Sequence, residues 1–169
     1  MKSSLARRIA VTLAMFLVFA AGSAWAVEKN LDADGIALQG YDPVSYFTGD
    51  HPKMGLETHS AEHDGARYLF ASAESRAKFL ADPGRYVPQF GGYCAYGVRV
   101  GRKFDIDPDV YRIVDDKLYF QLNWGTQVIW LANMKENIDV AHTLWPVIKP
   151  QTDTELAEAA EKAGKQGNN

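Results

Sequence analysis

The segment THSAEHDGARYLF, residues 58–70, limits the possible folds of this chain most strongly, because it encodes a β-hairpin. The pair Asp64-Gly65 can adopt positive φ angles at low cost, as a two-residue turn between antiparallel strands requires. The turn predicts the cross-strand pairs His63 with Ala66, Glu62 with Arg67, Ala61 with Tyr68, and His59 with Phe70. The chain is therefore expected to contain antiparallel strands, and an all-helical fold is excluded.

Further turn and helix signals follow this hairpin along the chain. Ser72 is placed to cap a helix that continues to Ala81 and ends at Asp82-Pro83-Gly84. A second hairpin is predicted around Asp115-Asp116 in YRIVDDKLYFQL. The segments GTQVIWLA and NMKENIDVAHTLW have helical periodicity, and Pro146 is expected to end the second helix.

The segment YCAYGVRV, residues 93–100, alternates in polarity and predicts a strand with Cys94 on its apolar side. Together these signals predict an α+β fold, a small mixed domain with antiparallel hairpins and three or four short helices.

The first 26 residues have the pattern of a secretory signal peptide. Three basic residues precede the apolar run 9–21, and Ala24-Trp25-Ala26 offers a cleavage site. The run is shorter than the roughly 20 residues of a spanning helix, so no membrane span is expected after cleavage. Arg7-Arg8 leaves twin-arginine export open, although its neighbours favour the general secretory route. We expect an exported protein, in the bacterial periplasm or secreted.

Removal of the signal changes the charge of the chain. The 18 basic residues fall to 15 against 21 acidic residues, so the mature net charge is about −6 and nucleic-acid binding is not expected. We predict one domain over residues 27–150. Residues 151–169 are expected to form a peripheral acidic tail, with a capping box from Thr152 and Glu155, a helix to about Ala163 and a disordered end.

Three segments carry a resemblance to a known family: GYDPVSYF, RYLFASAESRAKFLADPGRYVPQFGGYCAYGV and DIDPDVYRIVDDKLYF. Over residues 38–145 the chain resembles the longer, exported type of YHS-domain protein. Short YHS domains carry the pattern DPVCGM followed by YxFCSxxCxxxFxxDPxxY, in which the cysteines are the metal-ligand candidates. The positions that match this pattern here are Asp42, Pro43, Val44, Tyr68, Phe70, Ser72, Phe79, Asp82, Pro83 and Tyr86.

The three cysteine positions of the short domain fall on Ser45, Ala71 and Ser75. Serine is a poor ligand for copper or zinc and alanine is none, so the resemblance implies the scaffold without its thiolate metal site. Relatives of this type carry a cysteine in GGYC, and some carry selenocysteine there. The resemblance therefore hints at redox use of Cys94.

Cys94 is the only cysteine, and two roles stay open for it. A reactive thiol would cycle between oxidation states or form a mixed disulfide. A packing thiol would be buried, and the local sequence favours that role because no cation stands closer than Arg99. The glycine pair Gly91-Gly92 could let a substrate or partner approach the backbone.

One cluster could bind copper or another soft metal: His51, Met54, His59 and His63. Along a strand, His59 and His63 lie about 13 Å apart and cannot bind one ion together. His51 and Met54 lie in a predicted loop and could approach either histidine, so the speculative set is His51, Met54 and His59. Scattered solvent-facing histidines are the favoured interpretation, and no cofactor is assigned. His142 stands alone in an apolar helix and is expected to be structural.

Aromatic residues could line a shallow cleft around Tyr93 for a planar ligand. The alternative is that these rings form the core of a small domain. The candidate rings are Tyr41, Tyr46, Phe47, Phe90, Tyr93, Tyr96 and Trp124, and the binding candidates are Tyr41, Asp42, Tyr93, Cys94 and Tyr96.

No familiar enzyme signature is present, which favours a binding or accessory protein without catalysis of its own, possibly linked to metal or redox homeostasis. The alternative is a thiol-based redox protein that uses Cys94 as nucleophile. A third hypothesis is an envelope protein whose acidic tail docks a partner.

Overall fold

The computed structural model describes residues 28–48 and 51–166. The predicted signal peptide and the last three residues of the predicted tail lie outside these ranges. Within them, no helix is both long and apolar enough to cross a membrane.

The first hairpin joins β1 (Leu56–His63) to β2 (Ala66–Phe70). Its turn residues Asp64 and Gly65 have φ angles of 49° and 75°. The predicted pairing is confirmed for His63 with Ala66, Glu62 with Arg67 and Ala61 with Tyr68.

The predicted pair of His59 with Phe70 is wrong. Phe70 pairs with Leu56, because β1 is irregular between Leu56 and Ser60. In a regular ladder the imidazole would lie beside the fully buried ring of Phe70, and burial of that polar group is costly. The irregularity keeps His59 only partly buried.

The second hairpin joins β3 (Tyr111–Val114) to β4 (Lys117–Phe120), as predicted. Asp115 and Asp116 form its turn with φ angles of 50° and 57°. Aspartate tolerates this left-handed region better than most residues, which explains why two aspartates can replace an Asp-Gly pair. The two hairpins form separate two-stranded sheets.

Seven α-helices lie in the described ranges, more than the three or four that periodicity predicts, and the α+β class is confirmed. Three of them span only four or five residues, too short to give a periodic signal. The helices are α1 (Ser45–Thr48), α2 (Ala73–Ala81), α3 (Pro83–Tyr86), α4 (Ala95–Arg99), α5 (Trp124–Ala132), α6 (Met134–Ile148) and α7 (Asp153–Gln166); two 3₁₀ turns cover Leu38–Gly40 and Gln89–Gly92.

Helix caps explain several of these boundaries. The predicted Ser72 cap is confirmed, since its Oγ accepts a hydrogen bond from the Ser75 amide at 3.1 Å. The predicted Thr152–Glu155 capping box is confirmed as well. The Glu155 carboxylate accepts from the Thr152 amide at 2.7 Å, and the Thr152 hydroxyl accepts from the Glu155 amide at 3.2 Å.

Two local predictions are wrong. Residues 95–99 form α4 in place of a strand, because the buried residues Cys94, Ala95, Gly97 and Val98 follow a helical spacing rather than an alternation. Helix α6 also continues through Pro146 to Ile148. Both Pro146 and His142, four residues earlier, are exposed, so water can satisfy the His142 carbonyl that proline leaves without a helical donor.

The start of the predicted tail packs against the domain. The Arg102 guanidinium donates two hydrogen bonds to the Asp153 carboxylate, at 2.7 and 2.6 Å. The Lys103 amide donates to the same carboxylate at 3.0 Å, and Leu156 on α7 is buried. Helix α7 is therefore held to the loop that follows α4.

Strand β4 separates two hydrophobic clusters. Leu118 and Phe120 belong to the first cluster with Phe70 and Phe79, whereas Tyr119 belongs to the second. This division follows from the alternation of side chains along a strand. The second cluster is completed by Phe90, Ala95, Val98, Trp130, Ala141, Ile148 and Leu156.

A buried carboxylate fixes the first cluster. Asp42 is 1% exposed, and its carboxylate accepts hydrogen bonds from the Val44 amide at 2.9 Å and the Ala71 amide at 3.0 Å. It also accepts from the Ser75 hydroxyl at 2.5 Å. One side chain thus connects the start of α1, the end of β2 and the first turn of α2.

Replacement of Asp42 with alanine should strongly destabilise the fold. The substitution leaves three donors without their acceptor, and we expect the free energy of unfolding to fall by about 3 kcal/mol in urea titrations. Asp109→Ala is the matched control, because this aspartate is exposed, and its effect should stay within about 0.5 kcal/mol. A loss below about 1 kcal/mol for Asp42→Ala would contradict the proposed role of the carboxylate.

Candidate functional site

A cleft of about 220 Å³ lies where four distant segments of the chain meet. These are the start of the described chain, the turn of the first hairpin, the segment around Phe90 and the end of α6. Its lining residues are Glu28, Lys29, His63, Asp64, Tyr68, Val87, Pro88, Gln89, Phe90, Gly91, His142, Trp145 and Lys149.

A left-handed turn holds Phe90 at this cleft. Phe90 and Gly91 have φ angles of 55° and 61°. A Cβ atom on Gly91 would lie 2.2 Å from the Glu28 carbonyl oxygen, and the Asn30 amide donates to the Gly91 carbonyl at 2.9 Å. The close approach expected at the glycine pair therefore occurs at Gly91, where the chain's own residues 28–30 occupy the space.

Aromatic rings form one wall of the cleft. The centroid of the Phe90 ring lies 4.9 Å from that of His142 and 5.9 Å from that of Trp145. These distances are typical of favourable contacts between rings. The wall is therefore a packed group of side chains with limited freedom to rearrange.

Lys103 packs against the aromatic wall and does not line the cleft itself. It is buried, and its ammonium group donates to the carbonyl oxygens of Lys149 and Gln151, each at 2.6 Å. It also lies 5.2 Å from the Tyr93 ring centroid and 5.5 Å from that of Trp145. Burial lowers the Lys103 pKa to about 8 against the raising effect of nearby carboxylates. The side chain fixes the end of α6, which carries Trp145.

Polar and charged groups complete the cleft. Lys29 pairs with Asp64 at 2.5 Å, and Lys149 pairs with Glu28 at 2.8 Å. Burial, and then the charge of Asp64, raise the pKa of Tyr68, so its hydroxyl keeps its proton at neutral pH.

Histidine 142 is the polar member of the aromatic wall. The residue is exposed as a whole, but Phe90 and Tyr119 cover part of its ring. This partial burial, and then the charge of Lys117, lower the pKa of His142 and favour the neutral ring. Its Nε2 atom lies 3.3 Å from the Tyr119 hydroxyl, within hydrogen-bond distance. The ring is therefore oriented by the second hydrophobic cluster.

The structure does not bring all the predicted aromatic and binding residues to the cleft. Phe90 lines the cleft, and Tyr93 lies behind Trp145, with its hydroxyl donating to the Lys29 carbonyl at 3.1 Å. Tyr41 and Tyr96 do not line the cleft, and Asp42 is occupied in the fold as described above. The sequence interpretation missed Tyr68, Trp145, Lys29 and Lys149, which no local motif connects.

Ser45, Ala71 and Ser75, the positions to which the predicted resemblance assigns the cysteines of short YHS domains, meet around Asp42. The Ala71 amide and the Ser75 hydroxyl donate to its carboxylate, and the Ser45 hydroxyl donates to its carbonyl at 2.7 Å. These positions are joined here by hydrogen bonds to one aspartate.

The predicted soft-metal candidates are dispersed. His51 and Met54 are exposed, His59 is half-buried on β1, and His63 lines the cleft. Within residues 28–48 and 51–166, no three His, Cys, Asp or Glu side chains are grouped in a way that could hold a metal ion.

Cys94 is fully buried at 0% exposure. Its thiol donates to the Gln121 side-chain oxygen at 3.4 Å, and its sulfur accepts from the Gly97 amide at 3.4 Å. Burial raises the Cys94 pKa in spite of the neighbouring amides, which lower it. A buried, protonated thiol is a weak nucleophile, so this geometry favours the packing role.

No family profile, curated protein or solved structure matches this chain.

Cys94 should resist alkylation in the native protein. Because access requires opening of the structure, we expect iodoacetamide to label it at least about a hundredfold more slowly in buffer than in urea, measured by intact mass. The double variant Ala132→Cys, Cys94→Ala gives a control thiol at an exposed position, which should react quickly in both conditions. Rapid labelling of native Cys94 would support the redox alternative.

The contribution of Lys103 to stability should rise with pH. Its folded-state pKa of about 8 lies below its ordinary value of 10.5, so the unfolded chain binds more protons between these two values. Compared with Lys103→Met, the wild type should gain about 2 kcal/mol of unfolding free energy from about pH 7.5 to about pH 9.5. Urea titrations of both proteins measure this difference, and the comparison cancels tyrosine ionisation. If the wild type does not gain unfolding free energy relative to Lys103→Met as the pH rises, the prediction is contradicted.

Proposed function

We propose that this chain is an exported binding or accessory protein whose cleft takes a small planar organic molecule and carries out no reaction on it. The observation that carries the proposal is the aromatic wall of Phe90 and Trp145 beside the polar groups of the first hairpin. Sites for small molecules typically combine apolar walls with a few placed polar groups.

The size of the cleft limits the ligand. A volume of 220 Å³ holds about seven water molecules at their share of liquid volume. This favours a molecule with one or two fused rings over a nucleotide or a larger cofactor. Stacking on Trp145 would supply affinity, because contacts between aromatic rings add to the gain from burial alone.

The hydrogen bonds of the lining residues favour binding over catalysis. Asp64 and Glu28 are each paired with a lysine, and His142 contacts the Tyr119 hydroxyl. A general base needs a carboxylate or imidazole directed at the substrate proton, and these three groups already have partners within the protein. His63, the other imidazole of the lining, has no orienting partner among the described residues, as the base of a catalytic pair would have. Cys94 does not line the cleft, so the cleft does not support the alternative of a thiol-based redox protein.

Export, the resemblance to YHS domains and the link to metal or redox homeostasis remain predictions from the sequence. No comparison supports the resemblance, and the proposed binding function does not depend on it. The hypothesis that the tail docks an envelope partner also stays a prediction, although Asp153 and Leu156 at its start already contact the domain.

Trp145→Ala should abolish most of the binding of a planar probe. With indole as probe, followed by saturation-transfer NMR and titration, we expect the wild type to bind and the variant to lose about tenfold or more in affinity.

Trp124→Ala is the matched control, because this tryptophan is 61% exposed and lies outside the cleft. Its affinity should equal that of the wild type, and circular dichroism should show both variants folded. Absence of indole binding to the wild type, or equal losses in the two variants, would overturn the proposed function.

A further inference from the structure

We propose that the cleft recognises a planar aromatic monocarboxylate, an inference that rests on the proposed binding function. Two polar side chains of the first hairpin and the balanced charges of the cleft favour such a ligand.

Tyr68 supplies the first hydrogen-bond donor. The residue is only 3% exposed and lines the cleft, and its hydroxyl makes no hydrogen bond to any residue in the part of the chain that the structure describes. Although the residue is nearly buried, its hydroxyl oxygen is not one of the fully buried polar atoms without a partner, so it is open to the cleft. A ligand with an acceptor atom at this place could take a hydrogen bond from it.

His63 supplies a second polar group from the same hairpin. Its ring meets the edge of Phe79 at 5.8 Å between centroids, and its nitrogens make no hydrogen bond within residues 28–48 and 51–166. Neutral imidazole donates one hydrogen bond, and a phenol donates one. Both rings pack on Phe79, with centroids 5.8 and 4.9 Å from that of the phenyl ring. Together they offer one donor to each oxygen of a carboxylate, which accepts hydrogen bonds only.

The charges of the cleft limit the charge of the ligand. Lys29 and Lys149 are each balanced by a carboxylate, from Asp64 and Glu28, so the formal charge of these four groups is zero. A dianion such as a phosphate ester would find no surplus of positive charge, and an organic cation would find no surplus of negative charge. A single carboxylate, held by the Tyr68 hydroxyl and the His63 imidazole, agrees best with this balance.

The two halves of the cleft together define the ligand. A ring stacked on Trp145 and Phe90 would be held by one wall, and its carboxylate would be held by Tyr68 and His63 on the hairpin. The space of about seven waters fits a bicyclic acid. The Phe90 wall and the hairpin come from separate parts of the chain, so neither alone would bind such a molecule.

The test compares two probes of nearly equal shape, indole-3-carboxylate and indole-3-carboxamide, by titration calorimetry at neutral pH. We expect the carboxylate to bind at least about tenfold more tightly, because hydrogen bonds to charged acceptors are stronger than those to neutral ones. Tyr68→Phe should weaken carboxylate binding about tenfold and carboxamide binding much less. The variant removes only a hydroxyl without a partner among the described residues, so it should fold.

Tyr41→Phe is the matched control, since Tyr41 lies outside the cleft, and it should bind both probes as the wild type does. His63→Ala provides a second variant. It should also lower the ratio of carboxylate affinity to carboxamide affinity below that of the wild type. Equal affinities for the two probes, or an unchanged Tyr68→Phe, would overturn this inference and leave the binding function standing. If neither probe binds while indole does, the inference fails and the binding function stands. If indole does not bind either, both fail.

Discussion

The carboxylate of Asp42 is the interaction on which the rest of the structure depends. It is buried, and it accepts hydrogen bonds from groups just before α1, at the end of β2 and in α2. A buried carboxylate without such donors would be strongly unfavourable, so these three elements must be assembled together for any one of them to be stable. Their assembly directs Phe70 and Phe79 into the first hydrophobic cluster, which supports the hairpin that carries Tyr68.

The cleft lies at the boundary between the two hydrophobic clusters. Tyr68 belongs to the first cluster, whereas Phe90 belongs to the second and Trp145 packs against it. Strand β4 lies between the clusters, and its alternate side chains pack into one or the other. The walls of the cleft are thus anchored in two separately packed regions, and Lys103 fixes the end of the helix that bears Trp145. Such anchoring keeps the site formed without a ligand, which lowers the entropic cost of binding.

Local signals predicted the elements well where the geometry is decided within a few residues. The turns at Asp64-Gly65 and Asp115-Asp116 and the Ser72 cap depend on φ angles and side chains close in sequence. The α4 helix was missed because five residues satisfy a strand pattern and a helix pattern equally well. The prediction that Pro146 ends its helix is wrong, because the effect of a proline depends on whether solvent reaches the preceding turn. The sequence does not predict the cleft. It indicates Phe90 only as one of seven candidate rings, and the other lining residues come from segments that are distant along the chain.

The span of sequence that the cleft requires has a consequence for the order in which the protein folds. Glu28 and Lys149 meet at its edge, and they stand at opposite ends of the domain. The hairpin and α2 can form early from neighbouring residues, but the pocket cannot close until α6 has packed against the domain. Until then Phe90 and the unfinished second cluster stay exposed, and a ligand cannot stabilise the chain.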